Sequence, residues 1–300
     1  MMTFDKSIYL LDGGMGQELI KRGVRGNEAL WSANALITDP DVVQAIHESY
    51  IEAGADVITT NTYCTTRARF DRYNLSERFV ELNQLACRLA QQAREEQERA
   101  DVLIAGSLPP YYGSYRPELA RSYEELTPIY QEQAEVLAPH VDFFICETMS
   151  TAEEARAAAS AAASTEKPVW VAWTLEDGGA DHLRSGETLQ QAFEALIDLP
   201  IDAFLVNCCA PESITAAMPK LASLGSQPVG GYANGFVAIP KDWLIESSVD
   251  VLGSRTDLDP ESYAGYGKEW LEAGARIVGG CCEVGPQHIA RLRRLIDTEL

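Results

Sequence analysis

The sequence is short of base. Its 300 residues hold 24 Lys and Arg against 45 Asp and Glu, a formal charge of −21 at pH 7, and the basic residues form no extended cluster. Phosphate binding needs such clusters, so no nucleic-acid partner is expected, whereas a cationic small molecule suits the charge; the same acidity also serves simply to keep a surface soluble. Apolar runs are short too. None approaches the roughly 20 residues that span a bilayer, and the opening MMTFDKSIYLLDGG lacks the basic start and long apolar stretch of a signal peptide. No membrane partner and a cytoplasmic location are expected. No linker rich in Pro, Gly and Ser and no break in composition divides the chain, so residues 1–300 are expected to form one domain. The 4 histidines lie in helical or loop stretches away from strand ends, so no imidazole is expected to do chemistry there.

What is present is the ordinary balance of a globular protein, 46% hydrophobic and 23% charged residues, enough for a full core. The 7 cysteines are an odd number and include two adjacent pairs, at 208–209 and 281–282. Neighbouring cysteines bridge only with strain, and the C-x-x-C pairs of zinc fingers are missing, so reduced thiols are expected rather than a disulfide framework.

Short apolar runs recur along the chain, at 8–15, 55–63, 101–110, 141–149, 168–176, 202–211, 228–236 and 275–283. Between them lie segments with helical periodicity, such as DVVQAIHESYIEAG and SERFVELNQLACRLAQQAREEQ, several opened by Ser, Thr or Asp and closed by Gly. Strands too apolar to keep a wet face, alternating with helices, predict an α/β fold with a parallel sheet under a layer of helices. Eight such units predict a single (βα)8 TIM-type barrel, with a doubly wound sheet as the alternative.

Chemistry in such barrels gathers at the carboxyl ends of the strands. Those ends carry Asp12, Glu147, Cys208, Cys209, Cys281 and Cys282. Three thiolates with one open position would make a catalytic zinc site, since zinc prefers four ligands; small buried thiols are the other reading of the same spacing. In a regular strand Cys281 and Cys282 would point to opposite faces, and the preceding Gly279 and Gly280 are expected to supply the turn that aims both at one ion. The DGGMG stretch at 12–16 lacks the spacing of a phosphate-binding loop, so its glycines are read as backbone N–H donors to a carboxylate. Asp12 and Glu147 either attract an ammonium group or cap the helices that follow them.

The segments DGGMGQEL, ADVITTNTY, the Glu of FFICETM, VNCC and GARIVGGCC, in this order, resemble the homocysteine S-methyltransferase family over nearly the whole chain. The family includes betaine–homocysteine methyltransferase and the homocysteine half of methionine synthase. The resemblance implies a zinc enzyme on a (βα)8 barrel that moves a methyl group from a small sulfonium or quaternary ammonium donor to the homocysteine thiolate, giving methionine. S-methylmethionine, S-adenosylmethionine, betaine and dimethylsulfoniopropionate are the donors it leaves open. It implies Cys208, Cys281 and Cys282 as the catalytic zinc ligands, with Cys209 the spare, and Asp12, Gly13, Gly14 and Glu147 around the amino acid.

The sequence departs from the family in three places. The segment SLPPYYGSYRPE at 107–118 is richer in Pro and Tyr than the family's GSVGP-like strand end, Glu283 follows the cysteine pair where Gly or Arg is familiar, and Cys64 follows Tyr63. Tyr111, Tyr112, Tyr115, Trp173 and Glu283 are candidates for holding a cationic donor by aromatic faces and a carboxylate, or the tyrosines pack a long loop. Cys64 either approaches the metal or packs. Other functions compatible with the sequence are a non-catalytic zinc or thiol-redox barrel, a methyltransferase fed by a separate methyl-corrinoid protein, and one that takes another thiol or selenol as acceptor.

Overall fold

A computed structural model describes residues 6–24, 30–178, 181–240 and 252–299. Its eight strands are β1 (Tyr9–Leu10), β2 (Val57–Thr59), β3 (Leu103–Leu108), β4 (Phe143–Met149), β5 (Val169–Trp173), β6 (Ala203–Asn207), β7 (Val229–Ala233) and β8 (Ile277–Gly280). All neighbours are parallel, in the order β1-β8-β7-β6-β5-β4-β3-β2. The ring then closes. Leu11 bridges Val57, the Asp56 N–H donates to the Leu10 carbonyl at 2.7 Å, and the Asp12 N–H donates to the Val57 carbonyl at 3.0 Å. With β1 bonded on both sides there is no open edge, so the sheet is the expected (βα)8 barrel and not the doubly wound alternative.

Parallel neighbours need crossovers, and helices supply them. They are α1 (Met15–Lys21), α2 (Ser32–Thr38), α3 (Pro40–Glu52), α4 (Arg67–Arg72), α5 (Phe79–Glu96), α6 (Tyr123–Leu137), α7 (Ala152–Ala163), α8 (Leu189–Glu194), α9 (Pro211–Ala222), α10 (Pro260–Glu272) and α11 (Pro286–Thr298). Local sequence starts several of them. Thr151 accepts the Glu154 N–H at the head of α7, Asp259 accepts the Ser262 N–H at the head of α10, and Pro opens α3, α9, α10 and α11. Among the described residues no helix is long and apolar enough to cross a membrane.

Side chains alternate along each strand between the barrel interior and the helix layer. In β5, Trp170 and Ala172 fall inside, while Val171 and Trp173 pack under the helices. The interior is plugged near the strand starts by aromatics: Trp170 lies 4.4 Å from Phe143 and 6.2 Å from Tyr9, centroid to centroid. That plug closes the bottom of the barrel and leaves its open space at the carboxyl ends.

Candidate active site

A cavity occupies that end, walled by Asp12, Glu147, Cys208, Cys281 and Cys282, with Trp31, Tyr63, Arg69 and Tyr115 completing its sides. The sulfurs of Cys208, Cys281 and Cys282 all lie within 4.8 Å of one another, Cys281 donating to Cys208 at 2.8 Å and Cys282 lying 3.9 Å from it. Thiolates about 2.3 Å from a tetrahedral zinc stand roughly 3.8 Å apart, so the Cys208–Cys282 pair already has that spacing and the Cys281–Cys208 pair would have to open to it. The donor set fits zinc. Burial would raise all three thiols, but the hydrogen bonds from Cys281, Cys282 and Tyr115 hold Cys208 well below the ordinary thiol range, while Cys281 and Cys282, which keep the protons, are pushed up.

Both members of the adjacent pair face the site because β8 ends at Gly280 and the cysteines lie in the turn beyond it. The expectation that Gly279 and Gly280 make this turn needs correction. Neither has a positive φ; Glu283 does, at 67°, and the chain reverses there as the Val284 N–H donates to the Cys281 carbonyl at 3.2 Å. The glycines allow close packing instead. A Cβ on Gly279 would stand 2.4 Å from the Leu11 Cβ, and one on Gly280 would stand 2.1 Å from the Val284 Cγ1. Cys209 lies on the helix side, where burial pushes its thiol up to about 12. Cys64 lines the cavity but stands outside the thiol cluster.

The two acids are held by the strands beside them. Asp12 accepts the Thr59 N–H at 2.7 Å and the Thr59 hydroxyl at 3.1 Å. Glu147 accepts the Ser107 hydroxyl at 2.5 Å and the Tyr232 hydroxyl at 3.3 Å. Neither caps a helix, since α1 has no side-chain cap and Thr151 caps α7. Burial raises Asp12 to about 8 and Glu147 to about 7, against the lowering effect of these hydrogen bonds. Asn207 steadies the residue after Glu147: it accepts the Thr148 N–H at 2.8 Å and donates to the Thr148 hydroxyl at 2.9 Å, where Thr148 has a φ of 63°. Gly13 and Gly14 let the β1–α1 turn press on the cysteine turn, a Gly13 Cβ falling 2.1 Å from the Val284 carbonyl oxygen. The Gly14 N–H is already engaged there, donating to that same carbonyl at 3.0 Å.

Of the five residues named for a cationic donor, only Tyr115 reaches the cavity wall. Trp173 is fully buried on the helix side, stacked on Phe204 at 5.4 Å. Tyr111 packs against Tyr112 and Tyr130, its hydroxyl accepting the Ala68 N–H at 3.0 Å, and Tyr112 lies beneath Arg121. Glu283 occupies the tight turn beyond the pair. Reading strand ends overlooked Trp31, which heads α2 with a φ of 47° and seats its indole against Gly16, where a Cβ would fall 2.3 Å from the ring nitrogen. It also overlooked Gln17, a buried cavity residue whose amide finds no hydrogen-bond partner among the described residues.

The family model described as homocysteine S-methyltransferase matches residues 9–296. A homocysteine S-methyltransferase of Escherichia coli K12 is 31% identical over 306 residues, covering 96% of this chain and 95% of its own length. A selenocysteine methyltransferase of Astragalus bisulcatus is 27% identical, covering 96% of this chain and 92% of its own. Among solved structures, the homocysteine methyltransferase MmuM of Escherichia coli in its metallated form superposes with a TM-score of 0.82 at 31% identity, covering 96% of both chains.

Proposed function

Because the chain belongs to the homocysteine S-methyltransferase family, whose reaction is methyl transfer to homocysteine, we propose that it is a zinc-dependent enzyme converting homocysteine to methionine with a small cationic methyl donor. The observation that carries this reading is the meeting of three thiols from two strand ends with two buried acids in one cavity. Cys208, Cys281 and Cys282 would hold the metal, which would supply Lewis-acid stabilisation of the substrate thiolate.

The remaining work falls to the protein's own groups. Asp12 and Glu147 take the ammonium group of homocysteine, which fixes the amino acid and turns its sulfur toward the trithiol. The faces of Trp31, Tyr63 and Tyr115 suit a sulfonium or quaternary ammonium, and Arg69 offers a positive charge to a donor carboxylate. Holding sulfur and methyl carbon in line is the chief catalytic contribution here, since oriented reactants gain roughly 7 to 11 kcal/mol over a random encounter. No protein base is needed once the thiol is ionised. Trithiol chemistry of this kind suits a reducing compartment such as the cytoplasm.

A panel of S-methylmethionine, S-adenosylmethionine, betaine and dimethylsulfoniopropionate with homocysteine tests the proposal. One donor turns over with the purified protein alone; no turnover with any of them would sink the free-donor reading and leave a methyl-corrinoid partner. Trp31→Ala then raises the KM of that donor by about 3- to 30-fold, the worth of a cation–π contact, with zinc content unchanged. The likeness to a selenocysteine methyltransferase favours a selenol acceptor as a second reading, decided by competing selenocysteine against homocysteine in the same assay.

The acids also set a pH dependence. With Asp12 at about 8 and Glu147 at about 7, both are largely neutral at low pH in the free enzyme and become anionic as pH rises. Ammonium binding therefore strengthens with rising pH. Norvaline, which has a methyl group where homocysteine has its thiol, isolates this effect from thiol ionisation, and its affinity should rise about tenfold or more from about pH 6 to about pH 8. A flat calorimetric profile would remove the two acids from the ammonium site.

A further inference from the structure

We propose that Arg184, in the connection between β5 and α8, is a positioning residue for the thiol cluster, a role that rests on the zinc reading above. Its side chain is only 11% exposed and stands at a junction of three contacts. The guanidinium carbon lies 4.8 Å from the centroid of the Tyr115 ring, Nε donates to the Thr174 hydroxyl at 3.3 Å, and Nη2 donates to Asp177 Oδ2 at 3.4 Å.

All three partners lead to the same ligand. The Tyr115 hydroxyl lies 2.9 Å from Cys208 Sγ, and the Thr174 hydroxyl donates to the Cys208 carbonyl at 3.2 Å. The second Asp177 oxygen accepts the Ala210 N–H at 3.2 Å, two residues further along. One guanidinium thus secures Cys208 at its sulfur, at its carbonyl and through the turn that follows it.

The ligand needs this support. Cys208 and Tyr115 both sit in the left-handed region, with φ of 51° and 63°, where residues with a side chain are uncommon and persist only when the surroundings hold them. An arginine suits the junction because its planar head can stack on a ring while donating in its own plane, which a lysine ammonium cannot do. Thr174 fits the chain of bonds as well, since a hydroxyl can accept from Arg184 and donate its one proton to the Cys208 carbonyl. Partners that orient a metal ligand typically change metal affinity by about 10- to 100-fold when lost.

The test is the rate at which a chromophoric chelator strips zinc from the loaded protein, measured for the wild type, Arg184→Ala, Arg184→Lys, Tyr115→Phe and the Ala/Phe double variant, with thermal midpoints alongside. Arg184→Ala and Tyr115→Phe should each release zinc about 10- to 100-fold faster, and the double variant no faster than Arg184→Ala alone, because the Tyr115 contact on Cys208 is one of the three that Arg184 holds in place. Arg184→Lys should fall between wild type and Ala. In the cobalt-loaded protein the thiolate-to-metal absorption should shift in Arg184→Ala, which mere loosening of a distant loop would not produce. Zinc release at the wild-type rate in Arg184→Ala, or single effects that multiply in the double variant, would overturn the role. Should Arg184→Ala fail to fold, Tyr115→Phe and Arg184→Lys decide by the same criteria. A wild-type protein that takes up no zinc at all overturns both this inference and the reading beneath it.

Discussion

Cys281→Ala should lose bound zinc and methyl transfer together while the barrel stays folded. Three sulfurs are the whole cluster found among the described residues, so removing one leaves two ligands where a catalytic zinc site needs three from the protein. Turnover should fall by about a thousandfold or more, since without the ion at neutral pH little of a thiol with an ordinary pKa near 8.5 is in its nucleophilic form and its position is lost. Folding should survive because Cys281 is only half-buried and lies in the turn past β8, whose pairing with β1 and β7 involves residues before it. Zinc per chain, turnover and circular dichroism check the three parts, and Cys208→Ala and Cys282→Ala should behave alike. Cys209→Ala is the contrast: it removes a fully buried sulfur from the helix side and should retain the metal. Zinc and activity retained in Cys281→Ala would end the trithiolate assignment.

Glu147→Ala should raise the KM for homocysteine by about 30- to 1,000-fold with zinc content unchanged, the usual cost of removing one partner of a buried, hydrogen-bonded charge pair. The loss should appear in KM more than in kcat, because the ammonium group lies away from the reacting sulfur and is held alike before and during methyl transfer. Glu147→Gln separates charge from shape, since an amide can still accept from Ser107 or Tyr232, the present partners of the carboxylate. It should bind homocysteine nearly as poorly as the Ala variant. Unchanged homocysteine saturation in Glu147→Ala would take the ammonium role away from this residue.

The barrel was legible in the sequence because parallel strands covered on both faces leave near-continuous apolar runs, and each of the eight runs holds one strand. Asp12, Glu147 and the three cysteines were legible for a related reason: they close those runs, and strand ends converge in a barrel. Side-chain direction was harder to read. Trp170 and Trp173 are three residues apart on β5, so they face opposite sides, and an irregular register between β4 and β5 separates Cys146 from Met149. Counting to the end of a run could not tell that Trp173 turns toward the helices. Trp31 was invisible to that count because it sits at the head of α2, not on a strand, and reaches the cavity through contact with Gly16. The glycines before the cysteine pair suggested a turn by local rules, yet the constraint on them is non-local, set by Leu11 and Val284.

Cys208, Cys281 and Cys282 are proposed to form a zinc site that works on homocysteine. Zinc per chain in protein purified under reducing conditions, measured with and without homocysteine, tests it most directly, because oxidation of the thiols releases metal for reasons unrelated to function. About one zinc per chain, retained when homocysteine is present, is the result expected of a site with three protein ligands. Protein that is fully reduced and folded yet holds no zinc, with or without homocysteine, would contradict it.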